Sequence, residues 1–566
     1  MAQAAHGIDA LGDAAKLIAR SIQPGALALP DIKSRLPPRD APYDEHSAAD
    51  DAWAPFSVLR RLPIPSVVFE TITSRAPVAT LALFPEIARA CITVENRLYL
   101  WNYTEGQAAF EYHELPQDEV ILAAGLVRAK PGVFIKEIQH VLVLATGPTS
   151  LEGRRVQLLG VEHTAGAGAK SAAGAGGELK LYETGLTAPT NGVVLRELKG
   201  TAAGRVFAIG SDQCVYEVVY QATEGWFSSR CYVSNVTQPR LSNLVPSLFR
   251  SEKRIDHLAL DSARSLLYVL RQGDQIDVYR LPSADASRAP THVGTMYGIA
   301  HHAGLLHSPQ EVGPMVWLGP TEPDTRTSAC LVAVTERGYR IYFDDFQRRS
   351  WAQLSVRIPP GGVVPPAGGA AVPMLGGMQL GVPPPPPPLA TQRRTTTALY
   401  AAGIFLEAFA TPDGGSALYA VAPSAPGGVA GTWQEAAMHV ALGHGASAPV
   451  LAEVRTAAAT RATEANGGVM RANAAQAVAP PRVFLLLDSN GLTELVERRP
   501  ADVLLGLLGG GGVGAAGVAS TAPPVIDYFN RFGSVEASMS ALAIAARNSH
   551  LSPCLLYTSP SPRDRG

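Results

Sequence analysis

The side chains able to do chemistry are scattered along this chain, and few stand at working distances from one another. His301-His302 is the only adjacent histidine pair. Neighbouring residues point to different faces of a strand or helix, and no acidic or cysteine partner stands nearby, so the pair reads as a surface loop, not a metal site. The cysteines are Cys91, Cys214, Cys231, Cys330 and Cys554, with no C-x-x-C spacing, and four fall in or beside apolar strands. They read as small buried hydrophobes in a reducing compartment. Gly509, Gly511 and Gly514 match G-x-G-x-x-G, but no strand precedes them, so a dinucleotide site is not indicated. Asp344-Asp345 follows a strand end and reads as a turn. Asn102-Tyr103-Thr104 and Asn235-Val236-Thr237 match the N-glycosylation pattern and are expected to stay unmodified, since the first twenty residues do not read as a secretory signal. With no G-x-S-x-G, H-E-x-x-H or Walker A motif, no catalytic residue, cofactor or metal is expected.

One spacing does stand out. Leu241, Leu244, Val245, Leu248 and Phe249 recur at i, i+3, i+4, i+7 and i+8, the apolar stripe of a short amphipathic helix. The opposite face is Arg240, Ser242, Asn243, Ser247 and Arg250, which carries little charge. Such a segment would meet lipid mainly by inserting its apolar face, so packing defects and curvature would matter. With Pro246 in its middle it is marginal as a helix in water. From the stripe alone, insertion into lipid and packing against a neighbouring sheet are both open.

The elements that must position this stripe are hairpins. Strand–turn–strand units occupy 88–103, 139–161, 204–220, 263–281, 329–343, 398–409 and 481–499. Most share a grammar: an apolar β-branched strand, a turn of Gly, Asp, Asn or Ser, then a strand alternating apolar and polar. A single hairpin cannot bury its own faces, but radially arranged sheets can, so the repeat predicts a β-propeller over a pair of sandwiches. Strands such as VFAIG, LLYVL, CLVAV and VFLLL are taken as the inner, channel-side strands; being almost purely apolar, they leave nothing for a propeller enzyme to use.

At 566 residues the chain is too long for one ordinary core. A net charge of −2 gives no general affinity for nucleic acid. Residues 1–50 are expected to form a disordered or loosely helical arm, and 51–497 the propeller. Low-complexity insertions are read at 165–177, 358–392 and 422–480. Residues 498–551 read as helices, with Val525, Tyr528, Phe529 and Phe532 on one face. Val503 to Ile526 is uncharged and long enough to cross a bilayer, but its GGGGVGAAG and Pro-Pro make it a helix end followed by a loop. The last stretch, 552–566, contains CLLYTSPSPRD, which resembles translated adapter sequence; the natural chain is expected to continue past about residue 551.

Several segments carry a family resemblance: FPEIARACITVENRLYLWNY, HVLVLATG, GRVFAIGSDQCVYEVVYQATEGWFSSRC, LSNLVPSLF, LLYVLRQGDQIDVY and RRPADVLLGLL. The chain resembles the large inner-ring scaffold nucleoporins of the nuclear pore complex, the nucleoporin 155/170 family. The resemblance implies an all-β seven-bladed β-propeller followed by the start of an α-helical solenoid. It implies a structural constituent of the pore, at the nuclear envelope, that links the pore core to linker nucleoporins and other inner-ring subunits. It also implies peripheral contact with pore-membrane lipid, and it places that family's membrane-binding motif on Leu241, Leu244, Val245, Leu248 and Phe249. The Pro-rich and Ala/Gly-rich insertions depart from the family pattern. A vesicle-coat subunit, which shares the propeller–solenoid plan, and a propeller enzyme are the alternatives.

Overall fold

Most of the apolar hairpins become the buried centre of a four-stranded antiparallel sheet. In the computed structural model of the chain, the described residues are 11–16, 37–47, 52–75, 79–105, 109–148, 153–165, 177–224, 229–237, 253–282, 289–299, 312–321, 329–344, 346–347, 350–351, 354–361, 393–401, 403–426, 433–443, 448–454, 476, 480–510 and 523–546. They build a seven-bladed β-propeller. Blade 1 runs from Ala79–Phe84 to Phe110–Glu114, and blade 2 from Val120–Arg128 to Gly177–Pro189. Blade 3 runs from Leu195–Gly200 to Cys231–Asn235, blade 4 from Ile255–Asp261 to Thr291–Tyr297, and blade 5 from Met315–Pro320 to Leu354–Arg357. Blade 6 takes Arg394–Ala401 through Trp433–Gly443, and blade 7 begins with Val450–Val454.

The first strand of each blade touches the first strands of both neighbours, and the seventh returns to the first. Each of the seven blade–blade seams carries its own apolar cluster, so the core is a ring of seven small cores. Between blades 1 and 2, for example, Leu98 and Leu100 meet Leu142, Leu144 and Val161. The second strands lie between two such clusters and are buried on both faces, which is why they read as continuous apolar runs.

Two expectations are corrected. VFAIG, LLYVL, CLVAV and VFLLL are second strands, one step out from the channel; the innermost strands of their blades are LRELKG, IDHLALD, MVWLGP and VLAEV. Residues 433–443 and 450–454, read as part of an insertion at 422–480, are strands. Their alanines are a packing requirement: Ala436 and Ala437 are buried and pair with Asp44 and Glu45 of the arm.

The arm itself is ordered in part. Asp44–Ser47 adds to blade 6 as a fifth, parallel strand, and Phe56–Pro63 pairs with Gly491–Glu497 as the outermost strand of blade 7. Between blades 5 and 6 the buried Glu435 carboxylate accepts from Arg340 (3.0 and 2.8 Å) and from Arg357 (2.8 Å). Burial alone would raise its pKa; the two guanidiniums hold it below the usual carboxylate range. Arg357 also donates to the carbonyls of Pro38 and Ala41, and its guanidinium lies 4.3 Å from the Tyr43 ring centre.

The helices Pro500–Gly510, Pro523–Phe532 and Ser534–Ala545 pack on one another and on Trp53. Pro500 stands in the first turn, and Asp502 accepts from the Arg499 N–H, as a helix start requires. Arg531 donates to Asp44 and to Ser424, and its guanidinium lies 5.0 Å from the Trp53 ring centre. Val525 and Tyr528 face inward with Phe532, whereas Phe529, of the same apolar stripe, is 37% exposed. No helix among the described residues is long and apolar enough to cross a membrane.

Removing the Glu435 carboxylate strands two buried guanidiniums. Glu435→Ala is expected to cost about 3–5 kcal/mol of stability, read as a fall in the urea unfolding midpoint. An unchanged midpoint would show that the cluster does not hold the arm.

Candidate functional site

Leu241, Leu244, Val245, Leu248 and Phe249 lie outside the described residues, as do His301 and His302. The structure does define where that stretch is rooted. It connects the outermost strand of blade 3 to the innermost strand of blade 4, and both flanks are tied to the tight turn between Val206–Gly210 and Val215–Tyr220. On the leading side, Val236 N–H donates to the Val215 carbonyl (2.8 Å) and Thr237 Oγ1 accepts from Val215 N–H (3.1 Å). On the trailing side, Ile255 N–H donates to Gln213 Oε1 (2.8 Å), while Arg271 and Gln272 donate to the carbonyls of Lys253 and Arg254. Gln213 adopts φ 63°, the left-handed conformation that lets a two-stranded turn close this tightly.

The Asn-x-Thr triplets have a structural role. Asn235 Oδ1 accepts from both the N–H (3.0 Å) and the hydroxyl (3.1 Å) of Thr237, ending the last strand of blade 3 in an Asx turn. Asn102 does the same with Thr104 at the end of a blade 1 strand. A hydroxyl two residues after Asn is what this turn uses, so the sequence pattern is accounted for by backbone geometry.

Titratable side chains do converge on the innermost strands, which sequence reasoning missed because it assigned those strands one step too far out. Glu197 and Lys199 of blade 3 meet His257 of blade 4, with Trp317 of blade 5 beside the imidazole (ring centres 6.0 Å apart). Glu197 Oε1 lies 2.6 Å from His257 Nδ1, 3.0 Å from Lys199 Nζ and 3.2 Å from the Leu258 N–H. His257 Nε2 lies 3.1 Å from the Leu318 carbonyl of blade 5 and 3.3 Å from Lys199 Nζ, so both ring nitrogens are engaged. Lys199 spends a further donor on the Leu258 carbonyl at 2.6 Å. Burial would raise the Glu197 pKa, but His257 and Lys199 hold it well below the carboxylate range. Burial pushes His257 down, and Lys199 acts in the same direction against the pull of Glu197. The carboxylate, imidazole and ammonium are therefore spent on one another and on backbone. The arrangement staples blades 3 and 4 together and leaves no activated nucleophile or base free.

Among the described residues, no group of three or more His, Cys, Asp or Glu could hold a metal ion. Cys91, Cys231 and Cys330 are buried, and burial pushes the Cys231 thiol up to about 11. Burial pushes the Cys91 thiol up as well, so these two stay protonated at neutral pH.

Comparison with known proteins fits this geometry. The sequence profile of the family described as Nup133 N terminal like matches residues 52–365. Nucleoporin NUP170 of Chaetomium thermophilum is 32% identical over 351 residues, covering 60% of this chain and 24% of that protein. Nuclear pore complex protein Nup154 of Drosophila melanogaster is 31% identical over 311 residues, covering 53% and 21%. This chain thus spans about a quarter of the length of the curated relatives it matches. The solved structure of the Chaetomium thermophilum Nup170 NTD–Nup53 complex superposes with a TM-score of 0.71 at 24% identity, over 96% of this chain and 78% of that one. It shares the fold.

The histidines set a pH dependence. His113, His140, His163, His257 and His439 are all lowered from 6.5, with burial the leading cause. Below that pH the unfolded chain takes up protons that the folded chain refuses, so stability is full above pH 6.5 and falls as pH drops. The unfolding temperature is expected to be level above neutrality and to decline progressively toward pH 5, less steeply in His257→Gln; a level profile would contradict the burial of these rings.

Proposed function

We propose, since this chain belongs to the Nup133 N-terminal-like family of nucleoporins, that it serves as a non-catalytic scaffold element in the inner ring of the nuclear pore complex. The observation that carries this reading is the family match across residues 52–365, laid on a ring closed by the chain's own N-terminal strand. In this reading residues 51–497 are the propeller, 1–50 an arm of which part straps the ring, and 498–551 the first helices of an α-solenoid. The inward-turned polar groups suit a part whose task is to hold shape.

Partners would be other nucleoporins. The Chaetomium relative is solved with Nup53, which favours a linker nucleoporin as one ligand of this propeller. Peripheral contact with the pore membrane would fall to Leu241, Leu244, Val245, Leu248 and Phe249, on the segment rooted at the Gly210–Val215 turn.

Two measurements separate these statements. Fluorescently tagged chain is expected at the nuclear rim, and cytoplasmic puncta would favour a vesicle coat instead. The full chain is expected to float with small neutral liposomes more than with large ones, and Leu244→Asp/Leu248→Asp should lose most of that flotation. Equal flotation of both proteins would remove the lipid role while leaving the scaffold role standing.

A further inference from the structure

Tight turns that need left-handed residues draw on Asn followed by Gly, and the same dipeptide is chemically labile. Because Gly has no Cβ, its backbone nitrogen can reach the side-chain carbon of the Asn before it. The sequence holds three Asn–Gly pairs, at 191–192, 466–467 and 490–491, and the second lies outside the described residues. The other two sit in turns of unequal security.

Asn191 and Gly192 make the connection between blades 2 and 3, beside a cavity of about 840 Å³ that Arg154, Arg155 and Asp212 also line. With φ of 52° at Asn191 and 82° at Gly192, and Val193 N–H donating to the Thr190 carbonyl (3.1 Å), the turn is of type I′. Thr190 Oγ1 donates to the Val193 carbonyl (2.7 Å), and Arg154 to the Gly192 carbonyl (3.0 Å). Asn191 is exposed, and among the described residues neither its amide nor the Gly192 N–H has a hydrogen-bond partner. In the closed turn the left-handed backbone holds the Gly192 nitrogen away from Asn191 Cγ, so reaction waits on opening. Opening breaks only these local bonds, and a surface connection opens at low cost.

Asn490 is exposed as well, but the nitrogen that follows it is engaged. Asp488 Oδ1 accepts from both the Asn490 N–H (2.7 Å) and the Gly491 N–H (2.9 Å). Gly491 is buried and pairs with Pro63 in the ladder that closes the ring, where a Cβ would stand 2.2 Å from the Leu62 carbonyl oxygen. Freeing this nitrogen means parting the outermost strand of blade 7, so the cost rises toward that of opening the ring.

We propose that Asn191 is a site of spontaneous deamidation in the folded protein, and that ring closure protects Asn490. The Gly192 nitrogen gives its proton to solvent base and bonds to Asn191 Cγ; the bond from Cγ to the side-chain nitrogen breaks, and ammonia leaves a cyclic imide. Water then opens the imide at either carbonyl, giving aspartate or isoaspartate, and no electrons are gained or lost. Either product adds a carboxylate next to the carbonyl that Arg154 holds. Isoaspartate also brings the side-chain methylene into the main chain. The lengthened turn loses its Val193–Thr190 closure and loosens the clip between Val194 and Ser211 of blade 3 (2.9 and 3.1 Å). The inference stands apart from the nuclear-pore reading, because it rests on the chemistry of two turns alone.

The test ages the full chain in mildly alkaline buffer, folded or unfolded in urea, and digests it with trypsin. Residues 181–196 and 483–498 are released as separate peptides whose only side-chain amides are Asn191 and Asn490. Mass spectrometry is expected to show Asn191 converting about tenfold faster than Asn490 in the folded chain, and the two at similar rates in urea. The product from Asn191 should separate into aspartyl and isoaspartyl peptides. Equal rates in the folded chain, a faster Asn490, or an Asn191 that stays intact when folded while both convert in urea would overturn the proposal.

Discussion

A ring of sheets is only as stable as its last joint, and here that joint is made by the chain's own beginning. Phe56–Pro63 pairs antiparallel with Gly491–Glu497, so blade 7 is complete only when segments more than four hundred residues apart meet. Each of the seven seams shares its strands with the next seam. An open ring would expose two apolar blade faces at once, and the edge of the Gly491–Glu497 strand with them. The arm reinforces the joint from outside: Asp44–Ser47 extends blade 6, and Arg531 ties the helical region to Asp44. The N-terminal segment, two blades and the helices therefore stand or fall as one unit. That coupling also explains why so many long-range contacts involve short stretches such as Tyr43 and Trp53.

Charge is used inside this ring at a cost. Arg89 with Glu111, Arg205 with Glu217, Arg271 with Asp277 and Arg340 with Glu435 are all largely buried pairs. Replacing such pairs with apolar residues is often neutral or stabilising elsewhere, so raw stability is a poor account of them. Their additional bonds are more telling. Arg89 reaches the Gly177 carbonyl of blade 2, Arg271 the Gln213 carbonyl of blade 3, and Arg482, paired in the same way with Glu453, the Ala401 carbonyl of blade 6. Each guanidinium, held by a carboxylate, reaches a backbone acceptor on a neighbouring blade. Apolar seams alone could slide by a residue; a directed hydrogen bond across the seam fixes register.

The hairpins were legible in the sequence because double-sided burial leaves a continuous apolar run in the second strand of a blade, with an alternating third strand after a short turn. The pattern fails at both ends of the blade. The innermost strands carry Glu197, Lys199 and His257, whose charges are satisfied only across blades, an arrangement that no local pattern can reveal. The strand Trp433–Gly443 is alanine-rich where the arm packs, so composition alone made it resemble a linker. Phe529 shows the same limit in a helix. The apolar stripe of Val525, Tyr528, Phe529 and Phe532 is wider than the face that neighbouring helices cover, and nothing in the spacing says which residue is left out. The stripe from Leu241 to Phe249 was legible as a period, while its roots at Gln213 and Thr237 depend on tertiary hydrogen bonds.

These features divide the propeller into two unlike faces. In an antiparallel blade, the second-to-third-strand turns and the blade-to-blade connections must emerge on the same side, since the chain reverses at each strand. That side carries the Gly210–Val215 turn, both roots of the segment holding the apolar stripe, and the cavity with Arg154 and Arg155. Ser211 and Asp212 line the cavity, while Gln213 and Val215, in the same turn, receive the segment's flanks. Within the blades, by contrast, the titratable cluster at Glu197 is consumed by its own partners. The turn from Gly210 to Val215 carries the most shared structure on that side, because the same few residues close a blade, root a loop and wall a cavity.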